Sequence, residues 1–146
     1  MDCEAPFNEI NTPAITITSP NYPNEYDNNL SCQTIIKFPT KVKNNRILSA
    51  KEFIQFETFD LENSPSCKSD YLEFRDGDNI NAGPIVINQN GVDVDKFCGT
   101  NKPPLIDSSR NALVIIFKSN GKTRSSGFSF KLLSGNHCFA QSYIKY

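Results

Sequence analysis

Cysteine placement constrains this chain more than any other feature. Five cysteines stand at positions 3, 32, 67, 98 and 138 of 146 residues. None forms a Cys-x-x-Cys pair, and the single histidine, His137, adjoins only Cys138. A structural zinc site needs soft ligands clustered at short spacing, and that spacing is missing. Widely separated cysteines in strand-like sequence read instead as half-cystines, which places the chain in an oxidising, extracellular setting. The competing reading is a reduced intracellular protein with buried thiols. The odd count leaves one thiol without a partner inside the chain. Asn29-Leu30-Ser31 is a glycosylation sequon, in keeping with secretion.

The sequence between the cysteines is punctuated for β-structure. Nine prolines and frequent asparagines interrupt helices. Ala14-Ile15-Thr16-Ile17-Thr18 alternates and is β-branched, and it stops at a turn cluster of Ser19, Pro20, Asn21 and Pro23. Further strand-like runs fall at 33–38, 54–59, 71–75, 84–87, 112–118 and 128–132. Asp76-Gly77, Asn90-Gly91 and Asn120-Gly121 supply hairpin-type turns. The stretch 46–59 is ambiguous, because its apolar positions fit neither the helical nor the strand period, and only its second half reads as strand. Many short strands separated by turn chemistry predict an all-β protein, a sandwich or a barrel. One domain over residues 1–133 and a tail over 134–146 account for the length.

Charge and motif content exclude several function classes. The net charge is −1, with no basic stripe for nucleic acid. Lys41, Lys43 and Arg46 form a small basic cluster that reads as a solvated loop. No apolar run is long enough to span a membrane. A serine nucleophile needs a histidine base and an orienting acid, and His137 lies alone in the tail without a Gly-x-Ser-x-Gly elbow. Cys138 and His137 are sequence neighbours, whose side chains diverge on a strand. No phosphate-cradling glycine loop is present. The chain therefore reads as a binding module and not as an enzyme.

At the level of ordered motifs the chain resembles CUB domains. The resemblance rests on Thr18-Ser19-Pro20-Asn21-Tyr22-Pro23-Asn24-Glu25-Tyr26, then Cys32, then Phe56-Glu57-Thr58-Phe59-Asp60-Leu61-Glu62. It continues through Cys67-Lys68-Ser69-Asp70-Tyr71, Phe97-Cys98-Gly99, the run 103–119 and Gly127-Phe128. The resemblance implies a two-sheet antiparallel, jelly-roll-like β-sandwich. It also implies disulfides Cys3–Cys32 and Cys67–Cys98, each worth ~3 kcal/mol by loop entropy. Thr34 stands where the family usually has a tryptophan. Cys138 has no counterpart in the basic module and is left as a free thiol or a link to another domain or chain.

The resemblance further implies a calcium site. Many CUB domains place acids where this chain has Glu62 and Asp70, with a tyrosine like Tyr26 supporting them. A third acid usually follows the late strand, and here that position is Asn120. Calcium takes six to eight oxygen ligands, and the number of charged ones tunes affinity, so the substitution predicts weakened binding. Asn120-Gly121 is also prone to deamidation, which would restore a carboxylate. The expected partner surface is Glu62, Asp70, Ser119, Asn120 and Lys122, receiving a lysine of an extracellular protein, with a glycan as the alternative partner. Family members serve as non-catalytic recruitment domains of secreted serine proteases or metalloproteases, or as autonomous secreted ligands, and both remain open here.

Overall fold

A computed structural model describes residues 7–9, 14–38, 41–48 and 51–134. In chain order the described strands are β1 (Phe7–Glu9), β2 (Ala14–Thr18), β3 (Ser31–Lys37), β4 (Lys41–Lys43), β5 (Arg46–Leu48), β6 (Glu52–Asp60), β7 (Tyr71–Arg75), β8 (Ile87–Gln89), β9 (Val92–Val94), β10 (Lys96–Phe97), β11 (Ile106–Asp107), β12 (Ala112–Lys118) and β13 (Gly127–Ser134). Two sheets, ordered β1-β3-β12-β7-β10 and β11-β6-β13-β2, build the sandwich. Their pairings are antiparallel except for β1 on β3.

Alternation along the strands fills the space between the sheets. Leu113, Ile115 and Phe117 of β12 join Leu72 and Phe74 of β7, and from the other sheet Ile54 and Phe56 of β6 meet Phe128, Phe130 and Leu132 of β13. Phenylalanine rings interlock: across the layers Phe56 lies 6.2 Å from Phe74 and Phe117 5.2 Å from Phe128, and within one sheet Phe56 lies 5.2 Å from Phe130. Each such ring buries a large apolar area and gains further from edge-to-face geometry.

The ambiguous stretch 46–59 resolves into two strands. Its second half, β6, carries a bulge: Ser129 pairs with Thr58, but the next residue, Phe130, pairs with Phe56. The extra residue, Glu57, shifts the alternation by one, so Phe56 and Phe59 both face the core. The first half pairs as β5 with β4 across Asn44 and Asn45, both at positive φ. The segment 41–46 is thus a hairpin and not the expected loop.

Two expected turns are also corrected. Asp76-Gly77 does not close a two-residue hairpin: the chain returns only at Pro84, which bridges to Arg75, while the Asp76 N–H donates to the Gly83 carbonyl. The run 84–87 contributes that bridge, and the strand proper starts at Ile87. Asn120-Gly121 does not turn β12 onto a hairpin partner, because β12 and β13 lie in different sheets. Neither residue has positive φ. Asn90-Gly91 does form the expected hairpin turn, between β8 and β9, with φ of 54° and 85°.

The Cys67–Cys98 disulfide is formed, with Cα atoms 5.6 Å apart. Cys32 is buried and disulfide-bonded, and the partner expected for it, Cys3, lies outside the described residues. So do Cys138, His137 and the rest of the tail from residue 135. Among the described residues no helix is long and apolar enough to cross a membrane.

Candidate functional site

Strand register brings five loop ends to one edge of the sandwich. Lys118 pairs with Tyr71 and with Ser31, and Asp60 pairs with Gly127. The segments before Ser31 and Tyr71, after Asp60 and Lys118, and before Gly127 therefore open on the same side. Tyr26, Glu62, Asp70, Ser119 and Asn120 sit on these segments.

Asp70 is the centre of the cluster. It is fully buried. Its Oδ2 accepts the Tyr26 hydroxyl at 2.5 Å, and its Oδ1 accepts the Asn120 N–H at 2.7 Å. The Tyr26 oxygen in turn accepts the Glu62 N–H at 3.3 Å. Burial, and then the Asp70 carboxylate beside it, push the Tyr26 phenol well above its usual range. The phenol therefore remains a donor at any physiological pH. Its ring stands edge-on to Phe117 with centroids 5.1 Å apart, which fixes the hydroxyl from the core side. Tyrosine suits this place because its body is apolar and its tip needs a partner.

Ser119 and Asn120 lock the neighbouring loop. The Ser119 hydroxyl donates to the Asp27 carbonyl at 2.7 Å and accepts the Leu30 N–H at 2.9 Å. The Asn29 N–H donates to the Asn120 carbonyl at 2.8 Å. The Asn120 carboxamide oxygen accepts the Lys122 N–H at 3.1 Å. Lys122 and Asn29 are exposed. On the other flank Ser126 donates twice to Asp60 Oδ2, at 3.2 Å from its N–H and 2.9 Å from its hydroxyl. Gly127 beyond it must be glycine: φ is 91°, and a Cβ there would stand 1.8 Å from the Ser19 hydroxyl oxygen.

Glu62 differs from Asp70. It is half-buried, and its Oε2 is shielded from solvent without any hydrogen-bond partner among the described residues. A buried carboxylate oxygen left unpaired is costly. Just beyond it, the Leu61 N–H is anchored to the Gly99 carbonyl at 2.9 Å, next to the Cys67–Cys98 bridge.

The structure thus gathers Tyr26, Glu62, Asp70, Ser119 and Asn120 at one edge, and Lys122 joins through its backbone. Among the described residues no group of three acids, cysteines or histidines is placed to hold a metal; Asn120 meets Asp70 through its main-chain N–H, while its carboxamide oxygen accepts the Lys122 N–H. Sequence reasoning missed the Asp60–Ser126 bracket. Its members are 66 residues apart, and no local pattern joins them.

Comparison with known proteins decides the family. Residues 3–132 match the CUB domain family. The chain belongs to it. CUB domains are non-catalytic modules that mediate protein interactions. The chain is 36% identical over 116 residues to bone morphogenetic protein 1 of Xenopus laevis and 39% identical over 121 residues to neuropilin-1a of Danio rerio. The matches cover 77% and 82% of this chain but only 14% and 11% of those proteins. The crystal structure of the MASP-1 CUB2 domain bound to Ca²⁺ superposes with a TM-score of 0.63 at 25% identity, covering 86% of this chain and 96% of that one. Such relatives are secreted or extracellular proteins.

Proposed function

We propose that this CUB domain is an extracellular, calcium-assisted protein-binding module without catalytic activity of its own. Its working surface is the edge bearing Glu62, Asp70, Ser119, Asn120 and Lys122. One observation carries the reading: the shielded Glu62 Oε2 has no hydrogen-bond partner among the described residues, while the nearby Asp70 is held rigid from both sides. A divalent cation would satisfy that oxygen. Glu62, Asp70 and the Asn120 carboxamide are hard oxygen donors of the type calcium selects. The Ca²⁺-bound MASP-1 CUB2 domain supports the choice of ion.

The ion would supply a fixed positive charge that orients the two carboxylates. The chain's own groups do the rest. Tyr26 and the Asn120 N–H hold Asp70 in one orientation, and Ser119 holds the 27–30 segment beside it. Carboxylate oxygens so arranged accept the ammonium of a partner lysine through charge-assisted hydrogen bonds. The exposed Asn29 on the same edge is the glycan acceptor. The small share of each relative that this chain spans favours a second, compatible reading, a recruitment domain within a larger secreted protease.

Calcium calorimetry on wild type and Glu62→Gln tests the proposal. Gln keeps the side-chain shape and removes one ligand charge, so the fold survives. Wild type is expected to bind one ion with a dissociation constant on the order of 10⁻⁴–10⁻³ M, the range of extracellular modules. The variant is expected to bind at least ~10-fold more weakly. No heat and no thermal stabilisation of wild type at millimolar calcium removes the metal from the account.

A further inference from the structure

Two Asn-Gly dipeptides occur in this chain, at 90–91 and 120–121, and their surroundings differ in the ways that govern amide chemistry. Deamidation begins when the backbone nitrogen of the following residue attacks the asparagine Cγ. That nitrogen must be free, and the carboxamide oxygen must be able to take up negative charge. At Asn90 the first condition fails: the Gly91 N–H donates to Asn88 Oδ1 at 3.1 Å. The dipeptide is also committed to a hairpin turn, with both residues at positive φ. No described residue donates to the Asn90 carboxamide.

At Asn120 both conditions hold. The Gly121 N–H makes no hydrogen bond among the described residues, whereas its neighbours do: Asn120 N–H binds Asp70 and Lys122 N–H binds the Asn120 carboxamide oxygen. The Lys122 N–H, at 3.1 Å, is therefore aimed at the oxygen that becomes negative in the tetrahedral intermediate, the arrangement that stabilises such intermediates in acyl-transfer sites. Gly121 is exposed and lacks a Cβ to hinder the approach. The segment links two sheets and is not a hairpin, so no cross-strand ladder restrains it.

We propose that Asn120 is a built-in modification site, at which spontaneous deamidation turns a carboxamide beside Asp70 and Glu62 into a carboxylate and raises the cation affinity of this edge. The affinity half rests on the calcium reading above; the modification half does not. The steps balance. The Gly121 nitrogen forms a bond to Asn120 Cγ, its proton leaves with the departing Nδ2 as ammonia, and a five-membered imide remains. Water then adds at Cγ and the ring opens, giving aspartate at 120 and restoring the Gly121 N–H. Opening at the other carbonyl would give isoaspartate and lengthen the main chain. The closed ring draws on the bonds from Asn120 N–H to Asp70 and from Asn29 N–H to the Asn120 carbonyl. Each ring carbonyl then has one backbone donor, the Lys122 N–H on the Cγ oxygen and the Asn29 N–H on the main-chain oxygen, so opening to aspartate and to isoaspartate are both assisted.

Peptide mapping by mass spectrometry after incubation at mildly alkaline pH reads the first half. Conversion at Asn120 well ahead of Asn90, with aspartate among the products, supports the proposal; conversion at Asn90 first, or isoaspartate alone at 120, overturns it. Thermal unfolding and calcium titration of Asn120→Asp read the second half. The variant is expected to melt below wild type in chelator, where three carboxylates repel, and above it in calcium, with affinity ~10-fold tighter. Equal affinity, or a lower melting point in both conditions, overturns the affinity gain. If wild type and variant both fail to bind calcium while Asn120 still converts first, the calcium reading fails and the modification stands.

Discussion

Asp70 and Glu52 are both fully buried carboxylates, yet they sit at opposite ends of the sandwich in opposite circumstances. Asp70, at the loop edge, accepts one hydrogen bond on each oxygen. Glu52 begins β6 at the far edge, where it pairs with Ser134, and neither of its carboxylate oxygens has a hydrogen-bond partner among the described residues. Ser108 satisfies only its main chain: the Glu52 N–H donates to the Ser108 hydroxyl at 2.8 Å, and the Ser108 N–H donates to the Glu52 carbonyl at 2.9 Å. Desolvation, and then the charge of Asp76, push the Glu52 carboxyl up to about 9. Asp76 offers it nothing, since both Asp76 oxygens face Ser109. Burial alone therefore does not mark a functional acid. The loop edge gives its acid a donor on each oxygen, and the far edge raises the pKa of its own by burying it with no donor among the described residues.

Substitutions that treat the two acids alike should separate them. Asp70→Ala strands the Tyr26 hydroxyl and the Asn120 N–H in a buried site, and a loss of about 3–5 kcal/mol is expected in chemical denaturation. Tyr26→Phe removes one donor to Asp70 and the acceptor for the Glu62 N–H. The same assay should give about 2 kcal/mol, together with weaker calcium binding, because Asp70 loses its alignment. A loss below half of that would mean the hydroxyl does not position Asp70.

Glu52 should behave in the reverse sense. Its folded-state carboxyl is raised from 4.5 to about 9. The favourable state is the protonated one, so its contribution is fully present below about pH 4.5 and is lost as pH rises toward about 9. Wild type should lose on the order of 1 kcal/mol per pH unit across that window, relative to Glu52→Gln. The gap between the two melting curves, measured from pH 5 to pH 9, checks this. Parallel curves would show that Glu52 titrates as it does in the unfolded chain.

Much of the loop edge could be read from the chain itself. Glu62 and Asp70 flank Cys67, and the motif resemblance placed Tyr26, Ser119 and Asn120 with them, so all five gathered residues were identifiable without coordinates. The reading of Asn120-Gly121 as a hairpin failed for a definite reason. Asn-Gly has turn chemistry wherever it stands, and nothing local states that the next strand joins the other sheet. The second half of 46–59 was rightly read as strand, but its period stayed ambiguous because the Glu57 bulge breaks the alternation that signals a strand. Ser119 and Asp27 lie 92 residues apart, beyond any local pattern. Glu52 gave no signal at all, since a glutamate opening a strand reads as solvated. Its burial depends on neighbours such as Ser108 and Ser134, brought in from distant sequence.

Thermal unfolding of wild type, Glu62→Gln and Glu52→Gln, each with millimolar calcium and with chelator, bears most directly on the claim that the Asp70 edge is the calcium-ordered one. Calcium should raise the melting temperature of wild type and Glu52→Gln by the same increment and leave Glu62→Gln almost unmoved. An increment that survives in Glu62→Gln, or that disappears in Glu52→Gln, would contradict that assignment.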